Sequence, residues 1–259
     1  MDNDAVLATF DQQMRQGARA DGPGARVERV GDVVRQVGTE QDWNGIVWSD
    51  LNEESADAAI AAQVAHFTSL GHSEFEWKLY AHDRPADLAE RLRAAGFTPG
   101  PEETLMVAQI SDLPTEVDPP EGIHLRTVTD PAGVDLVVDV HERVFGTDGS
   151  RLRHRLLAQL AEAPDTVTAV IAMAGDQPVC AARLELHPGT DFASLWGGGT
   201  LPTWRGKGIY RALIAFRASI ATERGYRYLQ VDASDQSQPI LGRLGFVGVS
   251  ATTPFMYQV

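Results

Sequence analysis

The sequence is nearly free of cysteine: Cys180 is the only one in 259 residues. One thiol cannot close a disulfide, build a structural zinc site or form a CxxC redox pair within a chain. No run approaches the roughly 20 apolar residues that a membrane span requires. The first residues show neither a basic segment nor an apolar one; they carry Asp2, Asp4 and Asp11 instead. No secretory leader is read there. Basic residues are scarce as well, with 22 Lys+Arg against 36 Asp+Glu and a formal net charge of -14. Duplex nucleic acid is therefore not an expected partner, because binding it relies on neutralising phosphates with Lys and Arg. These absences lead us to expect a soluble, cytoplasmic protein with no metal site and no membrane or nucleic-acid partner.

What is present is an ordinary globular composition, 43% apolar, long enough for one large domain or two of usual size. The acidity is uneven. Up to Thr115 there are 20 acids against 9 bases, and from Glu116 onward 16 against 13. Such a field favours cationic small molecules or serves only solubility. Leu113–Gly122 holds three prolines and three acids without apolar period, the composition of an extended connector. We place a boundary there, between domains at 1–115 and 122–259.

After the connector, Ile123–Val128 reads as a strand and Asp130-Pro131 as a helix start, with Asp130 the cap. A second helix is expected over Arg151–Ala161. Thr166–Met173 and Pro178–Leu186 flank Gly175-Asp176, a hairpin signal. Phe192–Trp196 reads as a strand ending in Gly197-Gly198-Gly199. A long helix is expected from about Gly206 to Arg224, because Ile209, Leu213, Phe216 and Ile220 form one stripe. A strand at Tyr228–Val231, a short helix at Pro239–Leu244 and a strand at Phe255–Val259 complete the order. A similar order occurs earlier: helix Ala56–Leu70, strand Phe75–Leu79, helix Pro85–Ala95, Ala95-Gly96-Phe97, then a strand containing Met106. The parallel with Leu244-Gly245-Phe246 and Met256 suggests a duplication.

The chemistry concentrates in Leu201–Leu213, a glycine-rich turn between a strand and an amphipathic helix. Such a turn leaves backbone N–H groups unpaired at the positive end of the helix dipole. Gly206 and Gly208 lack a Cβ, so a phosphate can approach the backbone. Arg205, Lys207 and Arg211 add positive charge. No GxxxxGK[ST] is present, and the glycine spacing does not suit a dinucleotide fold.

Arg205-x-x-Gly208-x, with Tyr210 where the pattern calls for Gly or Ala, resembles the phosphate motif of the GNAT superfamily of N-acetyltransferases. The resemblance covers about Ile123 to Val259 and includes Leu244-Gly245-Phe246. It implies an α/β (α+β) fold of two GNAT-like lobes, mixed mostly antiparallel sheets flanked by helices, with a degenerate N-terminal lobe. There Asp50-Leu51-Asn52-Glu53-Glu54 replaces the glycine loop, and no coenzyme A is expected to bind. It further implies acetyl-CoA as cofactor, held by Thr200, Leu201, Arg205, Gly206, Lys207, Gly208, Ile209, Tyr210 and Arg211, with Ser234 near the position of a family Asn. The triple glycine marks a bulge or close backbone approach, matching the family's slot for the pantetheine arm.

Transfer to an amine needs a base. Glu185, a carboxylate in an apolar strand, ranks first, Asp232 second and His141 third. The family's acid is a Tyr; counting back from Gly245 reaches Ile240 and Leu241 instead. Tyr210 and Tyr257 are substitutes by residue type, or solvent protonates the thiolate. The expected function is N-acetylation of a small amine by direct transfer, and the acidic field suggests a cationic one. The alternatives are a non-catalytic acyl-CoA sensor and an interaction role for the first lobe through exposed Trp43 and Trp48. A homodimer is left open.

Overall fold

The computed structural model describes residues 1–259. In chain order the elements are α1 (Asn3–Phe10), β1 (Arg26–Val30), β2 (Val33–Val37), β3 (Gly45–Ser49), α2 (Ala56–Leu70), β4 (Glu74–Tyr80), α3 (Leu88–Ala94), β5 (Thr98–Pro99) and β6 (Glu103–Gln109). They continue with β7 (Ile123–Val128), α4 (Pro131–Phe145), α5 (Ser150–Glu162), β8 (Val167–Ala174), β9 (Gln177–Leu186), β10 (Phe192–Thr200), α6 (Ile209–Glu223), β11 (Tyr228–Ala233), α7 (Gln238–Arg243) and β12 (Val247–Gln258). The fold is mixed α/β with mostly antiparallel strands, as read. No helix is long and apolar enough to cross a membrane.

The chain forms two compact units: residues 1–106 with 232–240 and 248–259, and residues 107–231 with 241–247. A single cut at the connector does not separate them. The connector lies inside the second unit, and most of β12 belongs to the first.

In the first unit β1, β2 and β3 pair antiparallel, β3 pairs parallel with β4, and β4 pairs antiparallel with β12. Trp77, Phe75, Phe97 and Phe255 are buried in its core, where the Phe67 and Phe75 rings stack at 4.3 Å. Trp43 and Trp48 are not exposed contacts. Trp43 Nε1 donates to Glu76 at 2.6 Å, and the Arg29 guanidinium covers the Trp48 ring at 5.1 Å.

In the second unit β7, β8, β9 and β10 pair antiparallel in order, and β10 pairs parallel with β11. Helices α4 and α5 cover one sheet face through Val134, Val137 and Leu156; α6 covers the other through Ile209 and Leu213. Asp130 caps α4 by accepting from Gly133 N at 2.7 Å, with Pro131 in the first turn. Strand β10 does not end at the triple glycine. It runs on to Thr200, with a register shift between Trp196 and Gly199.

Candidate cofactor and acceptor site

The turn between β10 and α6 is exposed from Arg205 to Gly208. Gly206 and Gly208 take φ +75° and +86°, a left-handed backbone that favours glycine. Gly208 stands at the N-cap of α6, and no side chain caps the helix. None of the N–H groups from Gly206 to Arg211 finds an acceptor within the protein. A Cβ on Gly206 would meet nothing, and one on Gly208 would meet only Pro120 at 3.8 Å. Unpaired donors, a helix dipole and open approach together make an anion cradle.

Of the expected cofactor residues, those from Thr200 to Arg211 lie in or next to this turn, while Ser234 belongs to the first unit. Arg205 is exposed, and its Nε donates to the Thr200 carbonyl at 3.1 Å. Lys207 lies over the Trp204 ring at 4.5 Å, and Arg211 is exposed in the first helical turn. Leu201 is buried, and its N–H is taken by the Val179 carbonyl. Ile209 is a core residue. The Thr200 hydroxyl lies 3.1 Å from Cys180 Sγ. Ser234 is exposed after β11, its hydroxyl 3.2 Å from that of Ser237.

Each glycine of the β10 bulge admits a side chain from another element. A Cβ at Gly197 would meet Arg183 Nη1 at 3.1 Å, one at Gly198 the Tyr210 ring at 2.8 Å, and one at Gly199 the Val144 side chain at 2.9 Å. The Tyr210 ring thus fills the space under Gly198. Burial pushes its phenol pKa up, against the pull of Arg217.

The three base candidates differ sharply. Glu185 is buried and forms an ion pair with Arg155 at 2.5 Å, with Arg183 Nε at 3.7 Å. Burial would raise its pKa, but the two guanidiniums outweigh it and hold the carboxyl low; that is the opposite of what a base needs. Asp232 is engaged by the Lys78 ammonium. His141, on α4, has a buried Nδ1 with no hydrogen-bond partner. Burial and then the charge of Arg183 lower its pKa from 6.5. Its Nε2 lies 3.1 Å from the Thr147 hydroxyl. Of the acid candidates, Tyr257 packs among Phe75 and Phe97. Ile240 is exposed and Leu241 buried.

Residues 134–246 match the model of the Acetyltransferase (GNAT) family. The matched stretch lies within the C-terminal half of the chain. No curated protein matches the sequence. Among solved structures, the chain is similar to a GCN5-related N-acetyltransferase from Kribbella flavida, at 18% identity and TM-score 0.69, over 98% of this chain and 93% of that one. It is similar to a tandem GNAT protein from the clavulanic acid biosynthesis pathway, at 11% identity and TM-score 0.66, over 99% and 94%. A functionally unknown protein from Staphylococcus epidermidis ATCC 12228 matches at 15% and TM-score 0.67, over 94% and 96%. At such identities the likeness speaks for the fold alone. The GNAT fold thus extends over nearly the whole chain.

Proposed function

We propose that the chain is an acyl-CoA-dependent N-acyltransferase that acetylates a small amine by direct transfer. The observation that carries this is the uncapped glycine turn at α6 within a GNAT-family domain. Its free N–H groups and the charges of Arg205, Lys207 and Arg211 suit the pyrophosphate of acetyl-CoA. When bound, acetyl-CoA supplies an acyl carbon activated as a thioester, and the N–C bond forms as the C–S bond breaks. His141 suits the task of taking the amine proton, since its lowered pKa keeps the ring neutral at pH 7. The departing thiolate takes a proton from solvent, consistent with a thiol pKa of about 8.5.

Free-thiol release with acetyl-CoA and a panel of amines tests the reading. The pH profile tests His141 separately. Its folded pKa lies below 6.5, so kcat/KM should hold at neutral pH and fall as pH drops through that lowered value. An acid limb that begins above the ordinary histidine value, or a His141→Gln variant with full activity, contradicts the role. A second reading has support of its own. Glu185 and Asp232 are both held in ion pairs, and Ile240 stands where the family places its acid. Tight CoA binding with no thiol release for any amine would favour a non-catalytic acyl-CoA sensor.

A further inference from the structure

On β9, Ala181 packs into the core beneath α4 and α5. Arg183 and Glu185 follow on alternate positions, and Glu185 meets Arg155 from α5. The Arg183 side chain is 9% exposed. Its Nε is fully buried without a hydrogen-bond partner, and its only close carboxylate is Glu185, at 3.7 Å. That carboxylate is already held by Arg155 at 2.5 Å. Arg183 therefore faces Glu185 at 3.7 Å without hydrogen-bonding it, and its Nε is left without an acceptor. His141 supplies no negative charge in either protonation state; burial and then Arg183 lower its pKa.

The guanidinium ends beneath the β10 bulge. Gly197 takes φ +58°, and Arg183 Nη1 is 3.1 Å from the place its Cβ would occupy. The residue is buried, with 7% exposure. Burial pushes its pKa down to about 10, which still leaves it charged at neutral pH. A buried cation without a matched anion is costly. An arginine fork suits an incoming oxyanion. The neighbouring Glu185 favours a monoanion over a doubly charged phosphate by like-charge repulsion.

We propose that Arg183 anchors a carboxylate on the acceptor, so that the acceptors are amines that carry a carboxylate. The assignment rests on the acyltransferase reading above and names its substrate class. It replaces the expectation of a simply cationic acceptor. The acidic surface of the first half then serves solubility.

The test measures thiol release from acetyl-CoA with a set of amino acids, each paired with its own carboxamide. CoA affinity is followed by calorimetry alongside. The wild-type protein should favour the acids by about tenfold or more in kcat/KM, the range of a charge-assisted hydrogen bond. Arg183→Gln should erase the preference through KM while leaving CoA affinity unchanged, and Arg183→Lys should restore part of it. If Arg183→Gln does not fold, the acid-to-amide ratio of the wild-type protein still decides. Equal use of acids and amides, preference for amides, or no transfer to any acid while CoA binds would overturn the proposal. Failure of the wild-type protein to bind CoA would remove the acyltransferase reading along with it.

Discussion

Helices α2 and α6 each connect two parallel neighbouring strands, β3 to β4 and β10 to β11, yet their first turns are built in opposite ways. Before α2, the Asn52 carboxamide oxygen accepts from the N–H groups of Glu54 and Ser55, at 2.9 Å each. Ser55 Oγ accepts from Asn52 N at 3.1 Å. The Ala56 N–H is taken by the Asn52 carbonyl. Acidic Glu53, Glu54 and Asp57 complement the helix dipole locally. Before α6, no side chain caps the helix, two glycines hold left-handed backbone, and the charged residues are basic. The N-cap of α2, Ser55, makes no side-chain cap bond either, but the approach to it is closed by Asn52, whereas the start of α6 leaves its donors open. A helix start whose approach is closed by a neutral amide and flanked by acids offers a phosphate neither donors nor attraction.

A related contrast concerns buried arginines. In the first unit Arg15 is fully matched: it pairs with Asp83 at 2.7 Å and Asp11 at 2.8 Å, and donates to the Val47 carbonyl. In the second, Arg217 donates to the carbonyls of Leu213 and Arg183 and lies against the Tyr210 phenol, with no carboxylate paired to it. The largest effect is expected here. Arg15→Met leaves two carboxylates without their cation and should cost about 3–5 kcal/mol of stability. Arg217→Met removes a cation that no carboxylate holds and should cost clearly less. Urea denaturation of the two variants compares them, and an equal loss would break the contrast.

The next effect concerns the open turn. Gly208→Asp puts a negative charge and a Cβ where φ is +86°, at the point of phosphate approach. CoA affinity should fall by about a hundredfold, two tenfold steps of about 1.4 kcal/mol each. Unchanged far-UV dichroism would show that the fold is kept. The smallest effect sharpens the other side. Asn52→Ala uncaps the approach to α2 and should cost about 1 kcal/mol of stability. It should create no CoA binding, because Glu53, Glu54 and Asp57 remain. Gain of a second CoA site in this variant would contradict the account.

Much of the fold was legible locally. Ala56–Leu70 and Ile123–Val128 have the bounds read from periodicity, and the Asp130-Pro131 start behaves as its residue types dictate. The glycine turn was legible because its chemistry is contiguous in sequence. The placement of β12 was not, since pairing from Thr252 with Tyr80 to Gln258 with Glu74 leaves no local trace. Nor was the role of the glycines at 197–199, which depends on side chains arriving from β9, α4 and α6. Arg183 was missed although a signal existed. It is a charged residue in the same apolar strand as Glu185, two positions away on the same face, and the reasoning that picked out the carboxylate applies to it equally.

The most direct measurement is a calorimetric titration of the whole chain with CoA. One site per chain is expected, placed on the turn before α6 and lost in Gly208→Asp. Two sites per chain, or one site that survives Gly208→Asp with its affinity intact, would contradict it.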